Sequence, residues 1–135
     1  MIRSFLLTMT SLLLLVACND KKTTALQTDI DVATAFIRDL LDNKLADAEQ
    51  YLLKDEQNQQ YFDALKQQYR QKSKEELAKY KNAEIIINEL SNVSDSISIV
   101  NYSNSYNKNL KNKVKLVRTN GRWLIDFKYT FSGNL

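Results

Sequence analysis

The sequence predicts an α+β fold in which N-terminal helices pack on a curved four-stranded antiparallel sheet. Before Ala83, apolar residues recur every three or four positions; after it they alternate, and β-branched and aromatic residues take over. The pair Asn120-Gly121, set between two alternating runs, marks a tight hairpin.

The chain divides into residues 1–17, an export segment; 18–27, a lipidated Cys18 with a flexible tether; and 28–135, a single α+β domain. Arg3 precedes a run from Phe5 to Ala17 that is apolar apart from Thr8, Thr10 and Ser11. At 1.5 Å per residue this run reaches roughly 20 Å, short of the ~30 Å hydrocarbon core, so it reads as a signal peptide and not as a membrane span. It closes on Leu15-Val16-Ala17-Cys18, which resembles the bacterial lipobox. The resemblance implies cleavage between Ala17 and Cys18 and acylation of Cys18. Diacylglycerol plus an N-acyl chain of the palmitate type would then give the several anchors that stable membrane attachment needs. Cys18 is the only cysteine, so the domain holds together without a disulfide.

The polar stretch 19–27 reads as a tether with a reach of roughly 15–18 Å. Asn19 after the cysteine resembles the sorting signal for the outer membrane. The trio Asp20, Lys21 and Lys22 resembles a surface-export tag, or simply solubilises a linker. The formal net charge is +3, and +2 without Arg3, which gives no basis for a nucleic-acid partner.

Thr28 is placed as an N-cap, with Asp29 and Asp31 at the positive end of the first helix. Ala33, Phe36, Ile37, Leu40 and Leu41 then form one apolar stripe. A break at Asp42-Asn43 precedes a short second helix carrying Leu45, Ala48 and Leu52 and ending near Leu53. A third begins near Asp55 and turns Phe62, Leu65 and Tyr69 inward. Ser73 with Glu76 matches a capping box, so the helix re-initiates there before Leu77 and Tyr80. Tyr61, Tyr69 and Tyr80 read as core or core edge.

The strands are expected at 83–90, 96–106, 113–119 and 122–131, with a first turn at 92–95. Opposing Thr119 to Arg122 pairs Arg118 with Trp123, Leu116 with Ile125 and Val114 with Phe127. One face then collects Trp123, Ile125, Phe127, Tyr129 and Phe131. The other carries Val117 beside Leu124, a small apolar spot, and an exposed pair of Lys115 with Asp126.

The stretches Ala35-Phe36-Ile37 with Leu40-Leu41, Ser98-Ile99-Val100-Asn101-Tyr102-Ser103-Asn104-Ser105-Tyr106, and Asn120-Gly121-Arg122-Trp123-Leu124-Ile125-Asp126-Phe127 resemble the nuclear transport factor 2-like superfamily. More narrowly, they resemble its bacterial lipoproteins of unknown function with a lumazine-binding-like domain. The resemblance covers residues 32–131. It implies a cone, with a curved sheet wrapped on the helices and room for a pocket at its open end. It implies no activity, because these motifs carry a fold.

The chain has no histidine, which removes histidine-based catalysis and nearly every common zinc, copper or non-haem iron site. Gly121 and Gly133 are its only glycines, so there is no glycine-rich phosphate cradle. No catalytic residue, metal or cofactor is implied. Lys108, Lys111, Lys113 and Lys115 suggest contact with an anionic envelope component, or a solvated loop beside an edge strand that lysine protects from pairing. The expectation is a non-enzymatic envelope module that binds a small ligand or a partner protein. The alternative is an isomerase- or dehydratase-like enzyme that uses a carboxylate and a tyrosine in the cone.

Overall fold

Four helices are followed by a four-stranded antiparallel sheet in a computed structural model that describes residues 28–132. The export segment, the Ala17–Cys18 junction and the tether lie outside the described residues.

Helix α1 spans Asp29–Leu41, and the Thr28 hydroxyl accepts the Asp31 N–H at 3.2 Å. Its buried stripe is Val32, Ala33, Phe36, Ile37, Leu40 and Leu41. The helix stops where Asn43 turns to φ 58°, a left-handed conformation that asparagine tolerates better than most side chains. Arg38 pairs with Asp42 and donates to the Ala83 carbonyl at 2.8 Å, which ties the end of this helix to the start of the sheet.

Helix α2 covers only Leu45–Glu49, shorter than its apolar pattern suggests. Beyond it the Leu53 N–H donates to the Ile125 carbonyl, and the Ile125 N–H donates to the Tyr51 carbonyl, each at 2.8 Å. Sheet bonding along residues 51–53 thus replaces the last helical turn, and it covers an edge that would otherwise attract another chain. Helix α3, Glu56–Gln71, is capped by Asp55, and helix α4, Lys74–Lys81, by Ser73; the expected break falls between them at Lys72.

Strands β1 (Ile85–Ser94), β2 (Ile97–Asn104), β3 (Asn112–Thr119) and β4 (Arg122–Asp126) lie in sequential order. The β1–β2 turn is Asp95-Ser96, so β1 runs further than expected. Two register shifts along β1 mark bulges, which bend a strand. The β3–β4 register pairs Thr119 with Arg122, Arg118 with Trp123, Val117 with Leu124 and Leu116 with Ile125, as the hairpin rule requires.

Strand β4 ends at Asp126, well before residue 131. Phe127–Phe131 wind into a 3₁₀ helix, so Tyr129 and Phe131 leave the sheet face, and Phe131 is exposed. Strand β3 lies inside the sheet, so its lysines protect no edge. Asp126 is also not half of an exposed pair. It is 6% exposed and sits between Lys128 at 2.8 Å and Lys115 at 3.4 Å.

The core lies between α1, α3 and the sheet. Phe36, Phe62 and Phe127 meet there with ring centroids 5.5–6.4 Å apart, in tilted and edge-to-face geometry. Val100, Val114, Leu116 and Ile125 supply the sheet side, all essentially buried.

Candidate functional site

The aromatic trio fills the middle of the domain, but one end of the helix–sheet interface stays open. A cavity of about 270 Å³ lies there. Its floor is apolar: Ile37, Leu40 and Leu41 come from the last turns of α1, Leu65 from α3 and Phe127 from the 3₁₀ helix. The polar wall follows from two periodicities. Tyr69 lies one helical turn beyond Leu65 on α3, and Tyr102 and Asn104 follow Val100 on the inward face of β2. Tyr80 of α4 and Lys72, in the α3–α4 break, close the side, while Leu110 and Phe131 stand exposed at the mouth.

Electrostatics inside the cavity favour hydrogen-bond donors. Burial pushes the Tyr69 phenol up to about 12, helped by Tyr80 and Glu76, and burial raises Tyr102 further, helped by Tyr69. Both hydroxyls therefore stay protonated at any physiological pH. Burial opposes the Lys72 charge, but Glu76, whose carboxylate is 2.6 Å away, and the nearby Tyr80 hold its pKa above the ordinary lysine value. The ammonium lies 5.0 Å from the Tyr80 ring centroid and 5.8 Å from that of Tyr69, within cation–π range. Among the described residues, no Asp or Glu lines this cavity.

Asp126 lies elsewhere. Its carboxylate takes Lys128 and Lys115, and the fully buried Asn58 donates to it at 3.4 Å. Among the described residues, none of this network lines the cavity, and its chemistry is that of a structural clamp.

Two other hollows are larger, and in each a central polar pair is already engaged. In a cleft of about 420 Å³ beside the start of α1, the Ser98 hydroxyl donates to Asp29 and lies 3.3 Å from the Asn92 carboxamide, and Trp123 forms the apolar side. In a groove of about 310 Å³ by α2, Lys66 binds Glu49 at 2.8 Å.

The basic stretch does not form one patch. Lys108 and Lys111 are exposed in the β2–β3 connection, on either side of the cavity-lining Leu110, with no ion pair among the described residues. Lys113 and Lys115 sit half-buried on the sheet face away from Val114, and Lys115 is engaged by Asp126 and lies 5.6 Å from the Tyr129 ring centroid. Tyr61, expected in the core or at its edge, is instead exposed and stacks on Phe131 at 5.1 Å.

Sequence reasoning missed Tyr102, Asn104 and Lys72 as a group. Alternation along β2 was the available signal, since it sets Tyr102 and Asn104 on the same face as Val100. That Lys72 joins them depends on the α3–α4 angle, which no local pattern encodes. Compared with known proteins, the chain matches no family model, no curated sequence and no solved structure.

Proposed function

We propose that this chain is a lipid-anchored lipoprotein of the bacterial envelope, most compatible with the outer membrane, whose domain is a nuclear transport factor 2-like cone that binds a small ligand without converting it. The anchor rests on Leu15-Val16-Ala17-Cys18 closing the apolar run. The cone reading rests on the order of helices before a sequentially paired, bulged antiparallel sheet.

The observation that carries the binding role is the donor-rich cavity: Tyr69 and Tyr102 stay neutral, Lys72 stays charged, and among the described residues no carboxylate lines the wall to serve as a base. Binding is preferred to the carboxylate-and-tyrosine enzyme because Asp126, the acidic residue at the end of β4, is engaged by two lysines and is not part of the cavity lining.

Metabolic labelling with a fatty-acid analogue tests the anchor. The unaltered chain takes up label and fractionates with membranes, whereas Cys18→Ala stays unlabelled and unprocessed; normal processing of that variant overturns the lipoprotein reading. Crosslinking in the native envelope, compared with a Leu65→Trp variant that fills the cavity, tests the binding role. Identical capture by both chains overturns it.

A further inference from the structure

The cavity also indicates the chemistry of its occupant. Its volume, about 270 Å³, lies just under the ~300–1,000 Å³ of drug-sized sites, so the occupant is small. Its floor of Ile37, Leu40 and Leu65 accepts a hydrocarbon group.

The groups around that floor are biased toward donation. The Tyr69 and Tyr102 hydroxyls keep their protons. The Asn104 carboxamide oxygen already accepts the N–H groups of Tyr106 and Asn107, at 3.0 and 2.9 Å, which leaves its NH₂ as the group to offer. The acceptors of this lining are the Gln68 and Asn112 carboxamide oxygens and the Thr130 hydroxyl, whose proton goes to the Lys113 carbonyl at 2.8 Å. The charges at the mouth are biased as well. Lys72 is matched by Glu76, but Lys108 and Lys111, exposed on the loop that brings Leu110 into the lining, have no ion pair among the described residues.

We propose that this cavity takes a small amphipathic acid as its anion, with an aryl or short alkyl group on the Ile37–Leu40–Leu65 floor and the carboxylate at the mouth among Lys72, Tyr102 and the loop lysines. The proposal rests on the cavity being the binding site and adds the charge of its ligand. An amine would meet donors and cations, and an alcohol would leave the loop lysines unanswered.

Calorimetric titration of the full chain in detergent, against a detergent blank, compares hydrocinnamate, hydrocinnamyl alcohol and phenylpropylamine. These probes share an apolar part and differ in head group. The acid is expected to bind at least about tenfold more tightly than the alcohol or the amine, with an affinity that falls as salt rises. Lys108→Gln with Lys111→Gln, both exposed, is expected to weaken the acid several-fold and leave the alcohol unchanged. Leu65→Trp is expected to abolish binding, and Tyr102→Phe to weaken the acid without filling the site.

Equal affinity for acid and alcohol, with Leu65→Trp blocking both, overturns the acid while keeping the cavity as the site. Acid binding that Leu65→Trp does not touch overturns both readings. No binding by the acid overturns the proposal.

Discussion

The carboxamide oxygen of Asn58, on the first turn of α3, accepts the backbone N–H of Lys128 at 2.7 Å, seventy residues further along the chain. The same side chain donates to Asp55 at 2.8 Å and to Asp126 at 3.4 Å, and it is fully buried. One amide therefore joins the cap of α3 to the point where β4 gives way to the 3₁₀ helix.

Removing that amide leaves a half-buried N–H and a buried carboxylate short of partners, which costs more than a surface hydrogen bond. Asn58→Ala is expected to lower stability by about 2–3 kcal/mol in urea unfolding. Asn58→Asp keeps an acceptor for Lys128 but sets a third carboxylate beside Asp55 and Asp126, and it should be at least as damaging. A loss under about 0.5 kcal/mol for both variants would place the clamp elsewhere.

The β3–β4 turn offers a cleaner test of backbone conformation. Gly121 has φ +74°, and a Cβ built there meets nothing within 4 Å, so any cost of adding one is conformational. Gly121→Ala is expected to cost about 1 kcal/mol, and Gly121→Asn less, because asparagine enters the left-handed region more readily. Equal losses for the two variants, read from the same unfolding curves, would mean that the turn changes type on substitution.

These two sites divide what the sequence reveals from what it hides. Thr28, Asp55 and Ser73 announce their helices because capping is decided within three residues, and Asn120-Gly121 sets the hairpin register because a two-residue turn leaves little choice. The end of β4 was not legible. Alternation continues through Phe127, Tyr129 and Phe131, but Asn58 captures the Lys128 N–H, and the chain winds up after Asp126. The end of α2 was hidden for the same reason, since Tyr51 and Leu53 bond to Ile125 across the fold. The cavity was half legible. The helical stripes and the β2 alternation name its walls, but whether facing walls touch or stand apart depends on the angles between elements. Lys115 shows the limit for charges, because its partnership with Asp126 followed from the register while the burial of that pair did not.

Alkaline titration distinguishes the cavity tyrosines from the rest. The chain has seven tyrosines, and Tyr69 and Tyr102 are raised most, mainly by burial. Because Tyr69 ionises near 10 when unfolded and near 12 when folded, its neutral form is favoured by the fold. The stability it contributes is complete below about pH 10 and is lost as pH rises from about 10 to 12. Phenolate absorbance is expected to show a late phase, and Tyr69→Phe is expected to remove one tyrosine from it. A single phase near pH 10 in the folded protein would mean that both hydroxyls meet bulk water.

Asp55 tests the opposite sign. Its carboxylate accepts the Asn58 backbone N–H at 2.8 Å and pairs with Lys128 at 2.9 Å, and these hold its pKa below the ordinary 3.8, the backbone bond contributing most. The unfolded chain therefore binds this proton more tightly than the folded one. The contribution is complete above about pH 5 and disappears as pH falls below about 4. Asp55→Asn keeps a capping oxygen and removes the charge, which isolates the Lys128 pair; with a third of each side chain in solvent, it is expected to cost only about 0.2–1 kcal/mol at pH 7. Asp55→Ala loses the cap as well and is expected to cost about 1–2 kcal/mol more. Urea midpoints for the parent chain and Asp55→Asn should converge between pH 5 and pH 3 and draw closer at high salt. A gap between them that persists at low pH would show that Asp55 acts through its shape as a cap and not through its charge.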